Sequence, residues 1–182
     1  MRQLVIHPTS TAQWHSLVCE AENAAKIYLD EELQSYLVFL LMRFLSKPDI
    51  AGKILALDYI ESLLSSGQRK QNKLRDVGDV CLIHAGLFPK RAKRKRVSDS
   101  YFIELGSGAY HHLSGVVENQ VAELYYRLSQ SFVPIRDLLN TMCTLGDHQQ
   151  ANTDIDKFTW YFTEQVTDPS GTTSAKTTRK TH

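Results

Sequence analysis

Residues 74–85 read Leu74-Arg75-Asp76-Val77-Gly78-Asp79-Val80-Cys81-Leu82-Ile83-His84-Ala85. Leu74, Val77, Gly78, Cys81, Leu82 and Ala85 fall at i, i+3, i+4, i+7, i+8 and i+11, the spacing of one apolar helix face. Arg75 and Asp79 stand four apart and are expected on the opposite, solvated face, as an ion pair contributing about 0.3 kcal/mol. Gly78 lies on the apolar face although glycine costs about 1 kcal/mol relative to alanine in a helix, so a neighbouring backbone is expected to approach there. Gly86 is the expected left-handed cap, with Leu87 and Phe88 folding back before Pro89.

The same periodicity recurs on both sides of this helix. Upstream, Ser10-Thr11 begins a helix carrying Trp14, Leu17, Val18 and Ala21 to about Ala25. Asp30, Glu31 and Glu32 then place carboxylates at a helix N-terminus, where they oppose the macrodipole. The helix they open carries Leu33, Tyr36, Leu37, Leu40, Leu41 and Phe44, and Val38, Phe39 and Met42 make it apolar on most sides. Such a helix belongs at the centre of a bundle. After the Lys47-Pro48 stop, Ile50, Ile54, Leu57, Ile60 and Leu64 recur at helical spacing and define a third helix that ends at Ser65-Ser66-Gly67.

Downstream, Ser98 or Asp99 caps a helix bearing Tyr101, Phe102, Leu105, Ala109 and Leu113. A further helix follows with Val121, Leu124, Tyr125 and Leu128, and Pro134 opens one with Ile135, Leu138, Leu139 and Met142. Residues 147–153 read as a polar linker, and the aromatic segment with Phe158, Trp160, Tyr161 and Phe162 reads as a short docking helix. From Asp168 to His182 serine, threonine, glycine and lysine dominate without apolar period, as in disordered tails. These patterns give an all-α, single-domain compact helical bundle of about seven helices over residues 1–167, followed by a disordered tail over 168–182.

A chain of 182 residues with 42% hydrophobic residues sustains one core without metal or disulfide. Cys19, Cys81 and Cys143 are widely spaced among apolar neighbours and read as reduced structural thiols, which favours a cytoplasmic setting. The N-terminus lacks a secretory pattern. The apolar run Leu33–Leu45 is about half to two-thirds of a membrane span.

The strongest local anomaly is Lys90-Arg91-Ala92-Lys93-Arg94-Lys95-Arg96, six cations in seven residues. Removing those six from the 21 Lys and Arg leaves 15 cations against 20 acids, a formal −5 for the remainder. Without the tail cations Lys176, Arg179 and Lys180 as well, the body carries 12 cations and 20 acids, a formal −8. The run is therefore the candidate contact surface for a protein partner, for self-association, or for nucleic acid through phosphate neutralisation. A helix-turn-helix over Leu82–Val97 is disfavoured, because Ala92 and Val97 are the only apolar residues after Pro89.

His-Glu-x-x-His, Glu-x-x-His, phosphate-loop and dinucleotide fingerprints do not occur, and Gly106-Ser107-Gly108 lacks the spacing of a nucleophile elbow. Asp76 and Asp79 read as surface ion-pairing groups. The one candidate pocket combines His84, Tyr101, Glu104, His111 and His112 across a helical hairpin. No cofactor or metal is expected. The reading is a non-enzymatic cytoplasmic interaction or regulatory protein that uses the basic run, with nucleic-acid binding as alternative and a histidine-pocket enzyme as third.

Overall fold

The computed structural model describes residues 10–46, 55–88 and 98–148. Among them are seven helices and no strand: α1 Ser10–Ala25, α2 Glu31–Ser46, α3 Leu55–Leu64, α4 Gly67–Leu87, α5 Asp99–Ser114, α6 Asn119–Gln130 and α7 Phe132–His148. The chain is all-α. Its buried apolar side chains form one cluster drawn from α1, α2, α4, α5, α6 and α7.

Local chemistry sets the helix ends. Asp30 Oδ1 accepts from the backbone N–H groups of Glu32 and Leu33 at 3.1 and 3.0 Å, satisfying two donors that the helix geometry leaves free. At the start of α5, Ser98 Oγ accepts from Tyr101 N at 3.3 Å. Between α1 and α2, buried Glu22 accepts from Leu29 N at 2.9 Å, which ties the connecting turn back to the first helix.

The central helix is α4, where the sequence pattern placed α2. Seven consecutive residues, Val77 to Ile83, are buried, so α4 is enclosed on all sides at its midpoint. By contrast Phe39, on the extra apolar side of α2, is 61% exposed. Glycines explain how α4 takes neighbours so closely. A Cβ on Gly78 would lie 2.5 Å from Tyr110 Cε1, and one on Gly106 would lie 2.6 Å from Cys81 Cβ and 2.5 Å from Phe132. The close approach at Gly78 is thus by an aromatic ring and not by a backbone. Gly86 does not cap α4 either; the helix continues to Leu87, and Gly86 makes room for Leu139, whose Cβ would be 2.6 Å from an added one.

These contacts fix directions. Gly78 faces Tyr110, Cys81 faces Gly106 and His84 faces Phe102, so α4 and α5 run antiparallel. Helix α7 runs parallel to α4, with Phe132 beside Cys81's neighbour Gly106, Leu139 beside Gly86, and Cys143 Sγ donating to Leu87 O at 3.7 Å. Helix α1 bridges α7 and α2, and α3 lies against the first half of α4.

Candidate interaction surface and the buried carboxylate centre

Helix α3 packs with its polar side inward. Ser62 is fully buried and its hydroxyl donates to Tyr59 O at 2.5 Å. Tyr59 turns toward α5, where its hydroxyl lies 2.6 Å from His112 Nδ1. Glu61 pairs with Lys73 at 2.5 Å and Arg69 at 3.1 Å of α4, and the Lys73 hydrogen bond holds its carboxyl below the ordinary range. These anchors rotate the predicted stripe outward. Leu57 and Ile60 are 59% and 55% exposed, and Leu64 is 85% exposed. The helix expected from this spacing is present, and its apolar row faces solvent. Their spacing marks an apolar face, but the bundle's nearest surface offers Lys73, Arg69 and His112, which satisfy polar groups better than leucines.

A second centre was not foreseen. Asp79, expected on a solvated face, is completely buried. Its carboxylate accepts from Tyr36 Oη and Tyr110 Oη, each at 2.6 Å, and pairs with Arg43 of α2. Asp76, about one-third exposed, lies 4.0 Å from Arg43 and 3.5 Å from Arg75, so Arg75 pairs with its neighbour rather than with Asp79. A lone buried carboxylate would be expensive; here one full cation and two phenolic donors compensate it.

The tyrosines around Asp79 form an edge-to-face set: Tyr36 is 6.3 Å from Tyr110 and 6.0 Å from Tyr125 between ring centroids. Tyr36 is half-buried, and its hydroxyl is bonded to the buried Asp79. Burial, reinforced by Tyr125, pushes the Tyr36 phenol far above its ordinary value of 10.0. Burial also raises Tyr110, with Tyr36 adding to it, and raises Tyr125 less strongly. Tyr36 and Tyr110 are thereby held neutral as donors to Asp79. The centre joins α2, α4, α5 and α6, and its chemistry is that of an electrostatic pin. Its only warning in the sequence is an acid placed inside Val77-Gly-Asp-Val-Cys-Leu-Ile.

Of the histidine pocket residues, His84 lies on α4, while Tyr101, Glu104, His111 and His112 are spread along α5. His84 stacks on Phe102 at 5.4 Å and meets Phe88 at 6.2 Å. His111 and His112 lie about 15 Å further along the helix axis, since each residue advances about 1.5 Å. There they diverge, His111 toward Tyr126 at 6.2 Å and His112 toward Tyr59. Tyr101 and Glu104 are exposed near the beginning of α5. Among the described residues no three His, Cys, Asp or Glu side chains are grouped to hold a metal ion, and no helix is long and apolar enough to cross a membrane.

The basic residues Lys90, Arg91, Lys93, Arg94, Lys95 and Arg96 lie outside the described residues, between Phe88 at the end of α4 and Ser98 at the cap of α5. The aromatic segment around Trp160 and the tail 168–182 also lie outside them. No family model, no curated protein and no solved structure matches this chain.

Proposed function

We propose that the protein is a non-enzymatic interaction protein that associates with a second copy of itself through α3. The observation that carries this reading is the solvent-facing row Leu57, Ile60 and Leu64 beside a buried Ser62. Spaced three and then four residues apart, these side chains follow the a-d-a seam by which helices pair, and an identical helix supplies an identical seam. A two-fold contact of this kind is self-complementary without further design.

Charge supports the same occupant. The run Lys90–Arg96 carries six cations, whereas the body has a formal −8, so copies of this chain attract one another at long range. Three free cysteines suit a cytoplasmic setting. Nucleic-acid binding by the basic run is the second reading, supported by the density of cations there.

Sedimentation velocity on the full chain tests both. The native protein is expected to sediment as a dimer at micromolar concentration, and Ile60→Glu with Leu64→Glu to give a folded monomer. A native monomer, or a dimer indifferent to those substitutions, overturns the α3 reading. Salt-steep retention of DNA or RNA that vanishes when the six cations become glutamine would establish the second reading.

A further inference from the structure

Cys19 lies at the end of a polar chain of four side chains shared between α1 and α2. The chain begins at Glu22, whose buried carboxylate is anchored by Leu29 N. Glu22 Oε2 receives a hydrogen bond from Gln34 Nε2 at 2.9 Å. Gln34 Oε1 lies 2.9 Å from His15 Nε2, and His15 Nδ1 lies 3.7 Å from Cys19 Sγ. Gln34 Nε2 also donates to the sulfur at 3.5 Å.

The directions of these bonds determine one another. An ionised carboxylate only accepts, so the Gln34 amide nitrogen must face Glu22 and the amide oxygen must face His15. That oxygen only accepts, so His15 Nε2 carries a proton, and in the neutral imidazole the lone pair is then at Nδ1. The lone pair faces the Cys19 thiol. Within one hydrogen-bonded chain, a base is thus oriented toward a sulfur that also receives a donor from Gln34. This is the arrangement by which a weak nucleophile is activated: nucleophile, base, and a third group that orients the base.

Neither of the other cysteines resembles it. Cys81 is buried beside Gly106 and Phe102's helix, and burial pushes its thiol far up from its ordinary value. Cys143 donates to the Leu87 carbonyl at 3.7 Å. Cys19 is only partly buried, and His15 beside it is exposed, so a small reagent can approach the pair.

We propose that Cys19 is a reactive thiol, activated by His15 and oriented through Gln34 and Glu22, whose substrate class is low-molecular-weight disulfides. In the step, Nδ1 of His15 takes the thiol proton and the Cys19 sulfur attacks one sulfur of the disulfide. The S–S bond of the reagent breaks, a mixed disulfide forms on Cys19, and the departing thiolate takes the proton from His15. Cys19–SH and RS–SR become Cys19–S–SR and RSH, with no other oxidant. The outcome is a reversible covalent mark at the α1–α2 contact.

The test exposes the folded full-length protein to glutathione disulfide at pH 7 and follows each cysteine by peptide mass spectrometry. Cys19 is expected to react at least about tenfold faster than Cys143, as a positioned base allows. His15→Ala and Gln34→Leu are each expected to slow Cys19 severalfold, while all three proteins react alike in denaturing urea, where geometry is lost. Circular dichroism establishes that the variants fold; should one not fold, the other carries the comparison. Equal rates at Cys19 and Cys143, or a Cys19 rate unchanged by a folded His15→Ala or Gln34→Leu variant, would overturn the proposal.

Discussion

Tyr110 donates its phenolic proton to Asp79 across 2.6 Å, while the same ring lies over Gly78, where an added Cβ would meet Cε1 at 2.5 Å. Two adjacent residues of α4 thus hold one tyrosine, one by charge and one by having no side chain. The first consequence is that Gly78→Ala should destabilise the protein by about 1–3 kcal/mol through overpacking, against the roughly 1 kcal/mol that helix propensity alone would add to stability. Urea unfolding gives the sign directly; a stabilised variant would contradict this packing.

Removing the carboxylate should be more damaging. Asp79→Ala leaves the Tyr36 and Tyr110 hydroxyls without their buried acceptor and is expected to cost about 3–5 kcal/mol. Tyr110→Phe deletes one hydrogen bond to a charged acceptor and should cost about 2 kcal/mol. Midpoints of chemical denaturation rank the two, and a loss on Asp79→Ala comparable to an exposed-site change would refute the pin.

Alkaline pH offers a second test of the same centre. Tyr36, Tyr110 and Tyr125 all have folded-state values above the ordinary phenol value, chiefly through burial. A raised value means that the folded protein holds its protons where the unfolded chain releases them. Their contribution is therefore fully present below pH about 10, the unfolded value, and is lost as pH rises above it. Tyrosinate absorbance should show a hydroxyl class titrating normally and another ionising only with cooperative unfolding; one uniform titration near pH 10 would count against it.

Helix α3 predicts an inverted substitution pattern. Leu57→Gln and Leu64→Gln should each change the stability of the monomer by no more than about 0.5 kcal/mol, as exposed positions do. Ser62→Leu, although it replaces a polar residue by an apolar one, should cost about 1–3 kcal/mol because the site is full. Thermal or urea melts of the monomeric protein separate this orientation from the reverse.

The helices themselves were legible. Ser98 and Asp30 mark N-termini, and the apolar spacings of α1, α4 and α7 identify buried faces, because capping and amphipathic period are local properties. The face that α3 presents was not legible. Its stripe announces an apolar surface without saying whether the cover is this bundle or something else, and Ser62, Tyr59 and Glu61 find partners on α4 and α5 that no local window contains.

The thiol chain and the carboxylate centre were hidden for the same reason. His15 and Cys19 are four apart on α1, but the residue that orients them is Gln34 on the next helix. Asp79 reads as a surface acid until Arg43, Tyr36 and Tyr110 arrive from two other helices to compensate its charge. The sequence by itself determined an all-α chain, the helix starts at Asp30 and Ser98, and a charge contrast between a basic run and an acidic body. Only the tertiary structure decided which helix is enclosed, which apolar row faces water and which acid is buried, since burial free energy and charge compensation depend on neighbours brought together from distant parts of the chain.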